Sequence, residues 1–224
     1  MASLDDAYRR VKRSKERLSD FKVRIEEFRK LQHDVIVPQP HPRNPGGLRY
    51  EFPNPVKDFA VDTSEIVQPL RTALNYLVIA LVILNSKPVN ESLQFPICEC
   101  PDDFRRQIPS LLKGVKGKQV ALIEGFQPYN GNHWIRKIRE LTDTDKHRDP
   151  IFMRTSGPIS YRIPFHVFNR QTLSGAIVND PMHVEYNLTL PIQFRDGAPV
   201  IETLELLQLK VADVLDRFQP LFNE

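Results

Sequence analysis

The spacing of apolar residues changes period near Pro150 and changes back near residue 199, and no other feature limits the fold as much. Before Pro150 and after 199 apolar residues recur three and four apart, and between them they alternate. The first spacing lines one face of a helix and the second lines one face of a strand. Helices, then a sheet, then a last helix make the fold α+β. The expected architecture is a helical bundle core, built from a long N-terminal helix and a kinked central helix. A C-terminal antiparallel sheet and a final amphipathic helix follow. The whole reads as one domain over 1–224, with parts at 1–33, 34–61, 62–149 and 150–224.

Residues 3–33 read as a single helix about 45 Å long at 1.5 Å per residue. Ser3 and Asp6 suit a capping box at its start. Leu4, Ala7, Val11, Ser14, Leu18, Phe21, Ile25, Phe28 and Gln32 follow a heptad rhythm, and seven of the nine are apolar. Such a seam needs a cover, either the chain's own bundle or a second copy in a homodimer. The segment holds ten basic and six acidic residues, while the rest of the chain holds 21 and 22. The positive excess therefore sits on this helix. It reads either as a nucleic-acid arm or as a solvated, salt-bridged face.

Six prolines, at 38, 40, 42, 45, 53 and 55, exclude helix from the next stretch. Val35–Val37 and Leu48–Phe52 read there as short edge strands. Asp62 and Glu65 open the central helix, which runs to Leu84. Leu70, Leu74, Leu77, Leu81 and Leu84 form its stripe, and Pro69 is expected to kink it or reset its start. Shorter helices are expected at 102–112, 118–126 and 133–146, the last with Trp134, Ile138 and Leu141 inward. Beyond Pro150, Ile159–Val167 and Val184–Phe194 alternate as strands, with a further strand at Leu173–Val178. The last helix, 199–218, turns Leu204, Leu207, Val211, Val214, Leu215 and Phe218 to one side.

The longest unbroken apolar run, Leu77–Leu84, is far shorter than a membrane span, and the charged N-terminus lacks a signal core. A cytoplasmic protein with no membrane partner is expected. Cys98 and Cys100 lack the second pair that a zinc site requires, so no metal and no cofactor are expected.

The densest polar cluster is Asp143-Thr144-Asp145-Lys146-His147-Arg148. Asp143 and His147 are four apart and share a face if the helix reaches them. A carboxylate beside an imidazole suits acid–base work near neutrality. With Lys146 and Arg148 on a phosphate and Asp145 orienting, the cluster has the parts for metal-independent RNA cleavage. The same residues also suit a helix C-terminus whose last carbonyls meet cations. Gln127 and Tyr129 lie upstream, within reach across a helical hairpin. Arg71 sits inside an apolar helix and needs an acceptor, for which Asp143 and Asp145 are candidates.

Three stretches carry a resemblance: LRTALNYLVIAL at 70–81, QFPI at 94–97, and ALIEGFQPYNG with IRELTDTDKHR across 121–148. Together they resemble a widespread family of largely uncharacterised bacterial proteins. The resemblance covers about residues 60–150 in motifs and the remainder in layout. The helical core looks like that of HEPN-type proteins, many of which are ribonucleases of toxin and phage-defence systems. Their site pairs an Arg with a His four to six residues on. Here Arg71 matches the Arg, Tyr76 stands where the His would be, and Asn75 stands where an Asp would be. Gln127, Pro128, Tyr129, Asp145, Lys146, His147 and Arg148 match. The resemblance implies an RNA or small anionic ligand. Tyr76 favours a non-catalytic dimerising or ligand-binding protein over a ribonuclease.

Overall fold

The computed structural model describes residues 2–30, 34–36, 39–40, 48–49, 59–146, 153–155, 160–162, 182–187 and 192–223. These residues are mostly helical. The helices are α1 (Asp5–Lys30), α2 (Phe59–Leu84), α3 (Pro101–Leu111), α4 (Gly117–Gly125), α5 (His133–Lys146) and α6 (Val200–Phe218). The chain forms two compact units. One comprises Met1–Asp20, Ala60–Ile151 and Val200–Glu224, and the other Phe21–Phe59 and Phe152–Pro199.

In the first unit α2 is central. Ile66, Leu70, Ala73, Leu74, Leu77, Val78, Leu81 and Val82 are all fully buried. Each large side chain among them contributes roughly 1.5–3 kcal/mol of transfer free energy. By length and composition α2 is the one described helix that could cross a membrane, yet 56% of its most apolar window is buried inside the fold. Pro69 does not reset the start of this helix, which is continuous from Phe59. The end of α2 is tied to the start of α4. Asn85 Nδ2 donates to the Gly114 carbonyl at 3.0 Å and to Gln119 Oε1 at 2.7 Å. Gly114 has φ +94°, and a Cβ there would lie 2.9 Å from that of Lys87, so the turn accepts only glycine without strain.

The seam of α1 is covered by the chain itself. Leu4, Ala7, Val11, Ser14, Leu18, Phe21 and Ile25 are all buried in the single chain. Phe28 and Gln32 lie outside the described side chains. A homodimer through α1 would therefore have to use its outer face. Ser3 accepts the Asp5 amide at 3.4 Å, while Asp6 turns to Arg9 instead of closing the expected capping box.

Ser14 explains the polar gap in the seam. Its Oγ donates to the Ile66 carbonyl of α2 at 2.7 Å and accepts from Gln208 Nε2 of α6 at 3.0 Å. Three helices thus meet at one buried hydroxyl. On α6, all six residues that the periodicity set on one face are buried.

In the second unit Phe21 and Phe59 pack edge to face, with centroids 5.4 Å apart. Short antiparallel pairings join β1 (Asp34–Ile36) to β6 (Met182–Asn187), and β6 to β5 (Ser160–Arg162). Others join β2 (Gln39–Pro40) to β3 (Leu48–Arg49), and β4 (Met153–Thr155) to β7 (Ile192–Phe194). Ile192 and Phe194 are buried on either side of half-buried Gln193. The strand expected at 173–178, the alternation at 163–167 and most of the proline-rich crossing lie outside the described residues.

Ser14→Ala strips the buried Gln208 amide of its acceptor and should cost about 1–3 kcal/mol, read as a lower urea midpoint. Adding Gln208→Leu should recover part of that loss, making the pair less harmful than the sum of its members. Strict additivity would mean that the bond contributes nothing.

Candidate functional site

Side chains from α2, from the stop after α4 and from α5 converge on the loop at 94–100, all within the first unit. Among the described residues this loop joins no ladder, and beyond the Gln94 N–H, which donates to the Leu111 carbonyl at 3.2 Å, its buried polar backbone calls on side chains. The Phe95 N–H donates to Asn75 Oδ1 on α2 at 3.0 Å. The Cys98 N–H donates to Gln127 Oε1 at 2.9 Å, and Gln127 Nε2 donates to the carbonyls of Pro96 at 2.9 Å and Ile123 at 3.2 Å. Arg139 Nη1 on α5 donates to the Ile97 carbonyl at 2.9 Å. Phe95, Ile97 and Cys98 are buried.

Gln127 is fully buried, and all of its amide capacity is spent on these bonds. It is placed by the stop after α4, where Pro128–Asn130 forms a 3-10 turn closed by Gly131 at φ +86°. Tyr129 hydroxyl donates to Glu124 Oε1 at 3.0 Å. Burial and the Glu124 carboxylate hold this phenol well above its ordinary range, so at neutral pH it donates and does not serve as a base. Of the residues expected to face inward on α5, Ile138 and Leu141 are buried. Trp134 is half-buried and donates to Asn132, and Ile135 takes the buried position.

Arg71 lies one turn before Asn75 on α2. Burial pulls its guanidinium down to about 10; the Asp143 carboxylate favours the cation, and the Arg139 charge opposes it. It remains charged at pH 7. Its Nη1 is buried and has no hydrogen-bond partner among the described residues. Arg139 and Asp143 are themselves one turn apart on α5, so one helix brings both charges to Arg71. The two oxygens of Glu99 are divided between Arg136 and Arg139. The bond to Arg136 is the main cause that holds the Glu99 carboxyl below its usual range.

Thus Arg71 and Asp143 are brought together, and Gln127 and Tyr129 lie around the same loop. Asp145 and Lys146 fall in the last turn of α5, with side chains outside the described set, and His147 and Arg148 lie beyond it. Sequence reasoning missed Asn75 as a loop anchor and Arg139, Arg136 and Glu99 altogether. The available signal was the loop itself: an apolar, proline-containing stretch whose orphan backbone groups needed partners from elsewhere. Among the described residues no cluster of His, Cys, Asp or Glu has the makings of a metal site.

Gln127→Leu leaves one N–H and two carbonyls of the loop and α4 without this partner, and should lower stability by about 2–4 kcal/mol in chemical denaturation. An unchanged midpoint would show that water replaces the amide. The Glu99 bridge adds a pH dependence. Its folded pKa is below the ordinary 4.5, so its contribution is complete above that value and is lost as pH falls through the lowered one. The carboxylate is 38% exposed, which limits the effect to about 1 kcal/mol or less. Glu99→Gln should therefore be less stable than the parent at neutral pH, with the gap closing as pH falls below the ordinary carboxylate range. A gap that widened in acid would refute the bridge. Compared with family models, with curated proteins and with solved structures, the chain finds no match.

Proposed function

We propose that this is a HEPN-like protein that binds a phosphate-bearing anion at Arg71 without cleaving it, in the bacterial cytoplasm. The observation that carries this reading is the buried Arg71 Nη1 with no acceptor among the described residues. A buried cation with an unmet donor loses stability until an anion reaches it. Asp143 balances part of that charge and leaves the donor open to a ligand oxygen. Tyr76 in the place of the expected His removes the acid–base partner from this helix. In fold terms, the short antiparallel pairings of β5 with β6 and of β4 with β7 support reading the part after residue 150 as strand-built, in keeping with an α+β arrangement.

The alternative is metal-independent ribonuclease activity, with His147 as acid–base residue, Lys146 and Arg148 on the phosphate and Asp145 orienting. Calorimetric titration with inorganic phosphate at pH 7 tests the first reading. The parent should bind, and Arg71→Met, checked for folding by its melting curve, should bind at least about tenfold more weakly, as expected for a lost charge-assisted bond. Equal binding by both, or none by the parent, would overturn it. In parallel, end-labelled RNA incubated in chelator with parent and His147→Ala should remain intact in both. Cleavage by the parent alone would put the ribonuclease in its place.

A further inference from the structure

We propose that the outer face of α1 over Arg9, Arg10, Lys12, Arg13 and Lys15 is a contact surface for the phosphodiester backbone of single-stranded RNA. It names RNA as the source of the phosphate and to that extent rests on the reading above.

Residues 7–15 contain five cations and no carboxylate. All five cations are exposed, because the same stretch buries Ala7, Val11 and Ser14 on its other side. The nearest acids flank the cluster. Asp6 reaches Arg9 at 3.3 Å and Glu16 reaches Arg13 at 3.7 Å. Both pairs are solvated, with the arginines 78% and 55% exposed, so a polyanion displaces these carboxylates at little cost. Lys12 and Lys15 have no carboxylate within ion-pair distance among the described residues. Arg10 lies 5.4 Å over the ring of Tyr76 on α2. That stacking holds one guanidinium in place and reduces the entropy lost on binding.

A solvated helix face normally interleaves its charges, as the later part of α1 does with Glu16, Asp20, Glu26 and Glu27 among its cations. The early part does not. Three of the five cations are arginines, whose planar forks match phosphate oxygens two at a time. A lipid surface fits less well. Helices that lie in membranes bury an apolar face there, and the apolar face of α1 is already used in the core.

Fluorescence anisotropy of a labelled single-stranded RNA of about 20 nucleotides, over a salt series, tests the surface. Lys12→Ala/Lys15→Ala should weaken binding about tenfold at low salt. It should also flatten the plot of log affinity against log salt by about 1.4, or about 0.7 for each phosphate no longer neutralised. Lys113→Ala/Lys118→Ala carries the same charge change on exposed lysines elsewhere and should behave as the parent. Equal behaviour of the two pairs, or no RNA binding by the parent, would overturn the proposal. So would tight binding to vesicles of phosphatidylcholine with phosphatidylserine that RNA does not compete away. The two readings fail separately. Loss of phosphate binding in Arg71→Met with unchanged RNA binding in Lys12→Ala/Lys15→Ala would sink only the α1 surface, and the reverse would sink only the Arg71 site.

Discussion

One buried amide holds the chemistry-bearing part of the molecule together. Gln127 offers an acceptor and two donors, and all three are used between α4 and the loop at 96–98. With the loop fixed, its Ile97 carbonyl presents an acceptor to Arg139, and Glu99 falls where Arg136 and Arg139 can share it. Arg139 then stands beside Arg71, and its charge opposes that buried cation while Asp143 supports it. The electrostatics of the candidate site are thus downstream of a neutral hydrogen-bond triad. Such a triad keeps its value across pH and salt in a way that exposed ion pairs do not.

The helices were legible because an apolar stripe is a local signal. The α6 stripe and Leu70, Leu74, Leu77 and Leu81 of α2 are buried where the spacing put them, while Leu84 at the end of the stripe is half-buried. The limits drifted where no cap chemistry marks them, as at Phe59, three residues before the expected start of α2. What stayed illegible is pairing across long sequence separations. Ser14 looked like a gap in a heptad, and its meaning lies 52 residues away at Ile66 and 194 away at Gln208. Gln127 looked like part of a helix stop, because nothing in its neighbours announces a loop 29 residues upstream. Arg71 was legible as a problem, since a cation in an apolar run always is. Its neighbour Arg139 was not, because Arg139 lies on a polar-looking helix.

The α1 seam shows how composition and spacing can point to two different partners. The heptad rhythm describes a helix that wants a cover, and here α2 and α6 are bound to it at Ser14. Using the apolar side internally leaves the charged side of the described α1 residues facing solvent. The same division explains why the positive excess of the chain and its longest seam lie on one element without conflict.

The loop at 94–98 also differs from the helices in the kind of protection its backbone has. Its Phe95 and Cys98 amides are held by the side chains of Asn75 and Gln127, not by a ladder or a helical repeat. Each of them therefore rests on the rotamer of one side chain, with no helix turn behind it. Their hydrogen exchange should follow the local opening that frees the loop from Asn75 and Gln127, set apart from the global unfolding that governs the core of α2.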